Sequence, residues 1–393
     1  MRVISDEEPF NATTSRRRRW IFLLLLGFLL VVIMAILPGL LRSMGGRISG
    51  ARLERVRHSP HFADGAFHNT KPDKPITRRE RRNQLTHWVF GGEQRVPKGE
   101  ISVVARHASD YTKGPDSGLR LTWMGHATVL VEVDGHRILT DPVWSERASP
   151  LTWIGPKRFH TAPISLAELP SVDVVVISHD HYDHLDMTTI QILAARGTRF
   201  VVPLGVGAHL QTWGVPEAQV AELDWGDQAE ITELKIIATP ARHYSGRNPL
   251  LAGQTFWASW VIQGPTHRVF FSGDTGYTDD FKTVGQKYGP FDVTLMKVGA
   301  SDPSWADIHM TPEQAVQAHG DLKGAVMLPI HWGTFNLAFH AWDEPADRVV
   351  AAARNARISL AVPRPGEFVE PNRSRSFDYW WVQGSVRPHN PIR

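Results

Sequence analysis

The chain has 393 residues, 42% hydrophobic and 21% charged, a globular balance with enough apolar content for a sizeable core. A formal net charge of +3 with neutral His gives no global attraction for nucleic acid. Cysteine is absent, which excludes disulfides, thiolate metal sites and cysteine nucleophiles, so any metal chemistry must use His and Asp/Glu.

Residues 1–19 are a basic segment ending in Arg16, Arg17, Arg18 and Arg19. Trp20 to Leu41 is an uncharged, mostly apolar run, close to the ~20 residues that cross a bilayer as a helix. A cleaved signal peptide is the rival reading. Its apolar core would span ~7–15 residues before an A-x-A-like site. This run is longer, and Leu37-Pro38-Gly39-Leu40 is a poor cleavage site, so a retained single-pass anchor is expected. The arginine block favours a cytoplasmic N-terminus and an extracytoplasmic body. Arg42, Arg47, Arg52, Arg55 and Arg57 crowd the other flank and weaken that asymmetry. Residues 42–117 are polar, basic and rich in Pro and Gly, and read as a juxtamembrane connector. Arg78, Arg79, Arg81 and Arg82 within it read as a solvated helix face, with lipid contact as the alternative.

Dense patterning begins at Leu119, and the main folded domain is expected over residues 118–362. Leu121–Met124 and Thr128–Val133 read as strands. Asp134-Gly135 is a hairpin turn signal, with His136–Thr140 as the returning strand. Val174–Ile177 is an apolar β-branched run. Met187–Arg196 reads as a helix stopped by Gly197. Phe256–Ile262 and Arg268–Ser272 make a second hairpin around Gly264-Pro265, and Val293–Val298 and Ala325–Ile330 are further apolar runs. Between those last two runs, Thr311-Pro312-Glu313-Gln314 combines a capping box with Pro at the first helical position. The stretch 363–393 is an irregular Pro- and Arg-rich extension in which Phe377–Val382 reads as a strand. Strand pairs, helices and a second set of strands imply an α/β fold of packed sheets covered by helices.

The chemistry concentrates after Ser178. His179, His181, Asp183 and His184 offer three imidazoles and a carboxylate directly after an apolar strand, a donor set that suits zinc or a similar first-row ion. Three later strand ends each add a candidate: His243 after Ile236–Pro240, Asp274 after Val269–Gly273, and His331 after Val326–Ile330. Each alone is as easily a structural residue. Together they supply donors for two metal ions. Two ions ~3.5–4 Å apart can share a hydroxide and clamp the attacking and leaving oxygens of a displacement, without a Ser or Cys nucleophile.

The pattern His179-x-His181-x-Asp183-His184, followed by His243, Asp274 and His331, resembles the metallo-β-lactamase superfamily. The resemblance implies an αβ/βα four-layer sandwich with metals at the sheet edges. It also implies that His179, His181 and His243 hold one zinc, that Asp183, His184 and His331 hold the other, and that Asp274 bridges. Over residues 119–340 the chain is similar to the N-acylphosphatidylethanolamine-hydrolysing phospholipase D family. The motifs are Trp123–Thr128, Thr140-Asp141-Pro142, Arg147–Pro150, Gly155–Phe159, Glu222–Trp225, Gly273–Tyr277 and His331–Phe335. Met187 departs from the aromatic residue that the family's best-known members carry after His-Leu-Asp. The family resemblance implies hydrolysis of N-acylated phosphatidylethanolamine to phosphatidic acid and an N-acylethanolamine. The attack at phosphorus would come from a hydroxide bridging the metals.

Supporting residues have paired readings. Asp141 is expected to orient a ligand His rather than merely cap a turn. His126 lines the site or makes a local hydrogen bond. His309 contacts the substrate phosphate, protonates the leaving oxygen, or is structural. Lys157 and Arg158 hold a phosphate or form a solvated basic turn. Trp257, Trp260, Trp305 and Phe335 line an acyl groove or pack in the core. The expected protein is a membrane-anchored, two-zinc phosphodiesterase acting on a membrane phospholipid, with Asp183, Asp274 and His309 as its catalytic side chains. A lactone or ester hydrolase using the same metals is the enzymatic alternative, and a non-catalytic membrane interaction protein the alternative of another class.

Overall fold

The computed structural model describes residues 12–72, 74, 77–371 and 378–384. Two compact units divide the chain, residues 1–44 and 45–393.

The first unit is a single helix, α1 (Ala12–Ser43). Its stretch Trp20–Ser43 is 24 residues of apolar sequence with no charged residue before Arg42. At 1.5 Å per residue that is about 36 Å, long enough to cross a bilayer.

The second unit begins with elements that the sequence hid inside a polar segment. They are α2 (Gly50–His58), the short pair β1 (Phe62–Ala63) and β2 (Ala66–Phe67), and the exposed helix α3 (Arg78–Phe90). Val56 and Phe67 are buried against Leu204, Phe256 and Trp257, so residues 50–67 are fastened to the body rather than strung beside it. Arg52 and Arg55 both reach Glu222 Oε2, at 2.6 and 2.8 Å.

The body continues with β3 (Leu119–Gly125), β4 (Thr128–Val133), β5 (His136–Thr140), β6 (Val174–Val176), α4 (Met187–Ala195), β7 (Arg199–Pro203), α5 (Gly207–Thr212) and β8 (Val220–Leu223). The second half has β9 (Gln228–Ile231), β10 (Leu234–Thr239), β11 (Ser259–Gln263), β12 (Arg268–Phe271), α6 (Asp280–Lys287), β13 (Phe291–Lys297), α7 (Pro312–Asp321), β14 (Gly324–Ile330), α8 (Glu344–Ala356), β15 (Ser359–Leu360) and β16 (Phe368–Val369). These strands form two seven-stranded sheets, ordered β16-β3-β4-β5-β6-β7-β8 and β15-β14-β13-β12-β11-β10-β9.

Strand alternation builds the layers. Leu119, Leu121, Trp123, Val129, Val131 and Val174 point inward to a core shared with the second sheet. Met124, Leu130, Val175, Phe200 and Val202 point outward under Ile190 and Leu193 of α4 and Leu210 of α5. Phe281, Val316 and Val349, from α6, α7 and α8, join the shared core from the second sheet's side. The result is the four-layer αβ/βα sandwich expected from the sequence.

Local signals act as expected in several places. Asp134 and Gly135 take positive φ values of 49° and 86°, the I′-like geometry that matches strand twist. Thr311 accepts from the Gln314 N–H while Gln314 Oε1 accepts from the Thr311 N–H, closing the capping box with Pro312 at the first helical position. One expectation fails. Trp380–Gly384 is a short 3-10 helix, not a strand, and Phe377 lies outside the described residues. The reason is aromatic packing: Trp380 stacks on Trp332, which stacks on Trp123, and a tight turn delivers both Trp380 and Trp381 to that cluster.

Candidate metal centre

Both sheets end their strands at one edge, and the sequence-identified donors lie in the loops there. The loop after β6 carries His179, His181, Asp183 and His184. His184 N and Leu185 N both bond to the His181 carbonyl, which coils the loop into one tight turn. Two acidic residues interleaved in the motif point away and fix it. Asp180 accepts from Thr255 Oγ1 at 2.8 Å and Gly246 N at 3.1 Å. Asp186 caps α4 and accepts from Thr189 Oγ1 at 2.6 Å and Ser145 Oγ at 2.9 Å.

His243 follows β10, Asp274 follows β12 and His331 follows β14. All seven donors meet. His181 Nδ1 lies 2.8 Å from His179 Nε2 and 3.3 Å from His243 Nε2. Asp183 Oδ2 lies 3.2 Å from His184 Nε2 and 3.4 Å from His331 Nε2. Asp274 Oδ2 spans the two groups, 3.0 Å from His331, 3.5 Å from His184 and 4.0 Å from His243. The ligand-capable clusters include His179/His181/His243 and His126/Asp183/His184/His331, with His243/Asp274/His309 and Asp141/His179/His184 overlapping them.

The donor atoms fit a bound ion. His184 Nε2, His331 Nε2 and Asp274 Oδ1 are buried without a hydrogen-bond partner among the described residues, a costly state unless something else occupies their lone pairs. Burial holds His179 well below its ordinary pKa, with the neighbouring His184 adding to it, and pushes His243 down to about 3. Neutral imidazole is the form that ligates. Burial alone would raise the Asp183 and Asp274 carboxyls. His184 holds the first well below the usual range, and His331 and His184 hold the second there.

Asp141 lies behind His184. It is fully buried and takes His184 Nδ1 at 2.6 Å, while Ser178 N and Oγ donate to the same carboxylate at 2.7 and 2.5 Å. This fixes the His184 tautomer with Nε2 facing the site. His126 joins both of its readings. Its Nε2 is 2.9 Å from Asp183 Oδ2, and its carbonyl accepts from the His331 N–H at 2.9 Å. His126, Asp141 and His331 all hold positive φ, at 53°, 34° and 64°. Left-handed backbone at non-glycine residues costs on the order of 1 kcal/mol or more each and here is spent on aiming these groups.

A cavity of about 670 Å³ opens onto the site, lined by His181, Asp183, Asp274, His309 and His331 and by the more apolar Tyr244, Trp305, Ile308 and Leu337. His309 Nε2 stands 3.7 Å from Asp274 Oδ2. Trp305 lines the cavity, whereas Trp260 is wholly core, Trp257 lines a separate cavity of about 430 Å³, and Phe335 borders a small one. The phosphate-binding reading of Lys157 and Arg158 is not supported. Lys157 is exposed, 3.8 Å from Glu146, and outside the cavity. The Arg158 guanidinium is spent on backbone carbonyls, at 2.8 Å from Val143 O and 3.2 Å from Met124 O.

Two residues escaped the sequence argument. Asn69 bonds to the His243 backbone. Lys297 ends β13 wholly buried, with Nζ lacking a hydrogen-bond partner among the described residues. A lysine inside the apolar run Val293–Val298 was a legible signal; Asn69 carried none.

Fold and site together define a metal-dependent hydrolase. Residues 136–332 match the family described as "Beta-lactamase superfamily domain". An uncharacterized protein of Mycobacterium tuberculosis is 45% identical over 352 residues, covering 87% of this chain and 94% of that one. "N-acyl-phosphatidylethanolamine-hydrolyzing phospholipase D 1" of Caenorhabditis elegans is 37% identical over 279 residues, covering 68% and 78%. A metallo hydrolase from the archaeon Ignicoccus hospitalis aligns with a TM-score of 0.50 at 26% identity, covering 64% of this chain and 97% of that one. The chain belongs to the beta-lactamase superfamily, among metallo-hydrolases that include phospholipase D enzymes acting on N-acylphosphatidylethanolamine.

Proposed function

We propose that this protein is a membrane-anchored, two-zinc phosphodiesterase that hydrolyses N-acylphosphatidylethanolamine-type phospholipids to phosphatidic acid and N-acylethanolamine. The observation that carries the reading is the position of Asp274 Oδ2, within 4.0 Å of His184, His331 and His243 at once. His179, His181 and His243 would hold one ion, Asp183, His184 and His331 the other, and Asp274 both. Such a pair, when bound, supplies Lewis-acid activation of a phosphoryl oxygen and of water.

The chain's own groups do the rest. Asp141 holds His184 in register. Asp183 and Asp274 put two carboxylate charges at the floor of the cavity. His309 faces the same space, and burial with the nearby Lys297 holds it neutral. A neutral imidazole suits a hydrogen bond to a phosphoryl oxygen better than proton donation to the leaving group. Trp305, Ile308 and Leu337 offer apolar wall to an acyl chain. The phospholipase name of the nematode relative supports the substrate class, and α1 suits a protein that works beside an insoluble substrate. The arginine block before Trp20 favours a body outside the cytoplasm, which reporters fused at each end would test.

The test is turnover of N-acylated phosphatidylethanolamine in mixed micelles by metal-loaded protein, with products identified. Release of phosphatidic acid is expected. Lactone turnover without phosphatidic acid release would defeat the substrate reading and leave the metal site standing.

A further inference from the structure

We propose that the outer face of α3 is a docking surface for an anionic lipid bilayer, placed at the mouth of the metal cavity. Helix α3 has two faces of different fate. Glu80 and Gln84, one turn apart, line the 670 Å³ cavity that holds Asp274 and His331. His87 continues that face and meets the Phe339 ring at 6.0 Å. The other face carries Arg78, Arg81, Arg82 and Leu85 at helical spacings of three, four and seven, so they form one stripe.

That stripe is unusual for a solvated helix. Arg78, Arg79, Arg81 and Arg82 are exposed and make no ion pair among the described residues. The helix's lone acid, Glu80, is engaged by the Thr77 cap: Thr77 N and Oγ1 both donate to it, at 2.7 and 2.8 Å. Leu85 lies within the arginine stripe and is 63% exposed; Phe90 at the helix end is 79% exposed. Arginines alone would suit any polyanion. An exposed leucine set among them, with an exposed phenylalanine at the helix end, suits a surface with an anionic face and an oily interior. The same chain carries the apolar run Trp20–Ser43, which keeps a bilayer available to this helix. The surface deepens the lipid-substrate reading by naming what the cavity mouth rests on, but its evidence does not depend on turnover.

The natural absence of cysteine makes the experiment clean. Leu85→Cys in the full chain takes a single environment-sensitive fluorophore. The labelled protein is reconstituted into vesicles of phosphatidylcholine alone or with phosphatidylglycerol. Anchor and label are common to both, so any difference reports α3. The expected result is a blue-shifted emission, quenched by lipid-borne spin labels at least about twofold more in anionic vesicles. Arg78→Glu, Arg81→Glu and Arg82→Glu together, all at exposed positions, should return the label to water without changing metal content. A label that stays in water in both vesicles, or is quenched equally in both, overturns the proposal. So does a charge-reversed variant that is quenched like its parent. Loss of phospholipid turnover with quenching intact would instead count against the substrate reading.

Discussion

Asn69 grips both backbone polar groups of His243. Its Nδ2 donates to the His243 carbonyl at 2.9 Å, and its Oδ1 accepts the His243 N–H at 3.1 Å. Trp257 Nε1 donates to the same oxygen at 3.0 Å. A side chain from the N-terminal part of the body thus sets the position of a candidate ligand that belongs to the second sheet. Asn69→Ala should weaken zinc binding by roughly tenfold, the low end of what outer-sphere partners contribute. Competition against a chromophoric chelator measures it. Zinc affinity equal to wild type in a folded variant would show the contact to be incidental.

Asp274 is the carboxylate shared by the two donor groups, and Asn in its place keeps shape while losing charge. Asp274→Asn should drop bound metal from roughly two ions per chain toward one and cut hydrolysis at least about 100-fold. Elemental analysis beside a turnover assay separates the two effects. Unchanged metal content would remove Asp274 from the bridging position.

Asp141 reaches the site through hydrogen bonds to His184 and Ser178. Asp141→Asn frees the His184 tautomer and should lower turnover about 10- to 100-fold at saturating substrate. The substrate KM should move little, because Asp141 does not line the cavity. A rise in KM with unchanged kcat would contradict a positioning role.

His319, on α7, hydrogen-bonds Thr294 Oγ1 at 2.7 Å, and burial pushes its pKa down to about 4. Its unfolded value is about 6.5, so protons favour the unfolded chain as pH falls between those values. The stability is full above pH ~6.5 and declines toward pH ~4 by about 3 kcal/mol from this group. His319→Gln removes that slope. Urea unfolding of both proteins across this range should show the variant gaining on wild type as pH falls; parallel curves would assign the acid sensitivity elsewhere.

Lys297 Nζ is buried with no hydrogen-bond partner among the described residues, and burial lowers its pKa to about 7. Lys297→Met keeps the volume and removes the charge, and should stabilise the fold by about 2 kcal/mol. Thermal unfolding checks the sign. Destabilisation would mean that the ammonium balances Asp274 more strongly than its desolvation opposes it.

The sequence carried the sandwich and the donor set because both rest on local contrasts. Apolar strands broken by His or Asp mark the sheet edge, Asp134-Gly135 marks a hairpin, and Thr311 marks a helix start. Residues 50–67 were illegible because two apolar anchors, Val56 and Phe67, fasten a stretch that is otherwise polar. Arg158 had two sequence readings, a phosphate contact and a solvated turn, and its bonds to the carbonyls of Met124 and Val143 are long-range pairings that neither could show. Trp380 and Trp381 misled because an aromatic run in sequence does not reveal which neighbours will stack on it. Long-range pairings such as Asn69 with His243 leave no periodic trace.

The twofold grip on Glu222 has a mechanical consequence. Its Oε2 holds Arg52 and Arg55 of α2, and its Oε1 accepts the N–H groups of Gly205 and Gly207. The chain between α2 and Asn69 is therefore pinned at a charged knot in the first sheet. Asn69, and with it the aim of His243, thus follows a stretch already moored to the body on its N-terminal side.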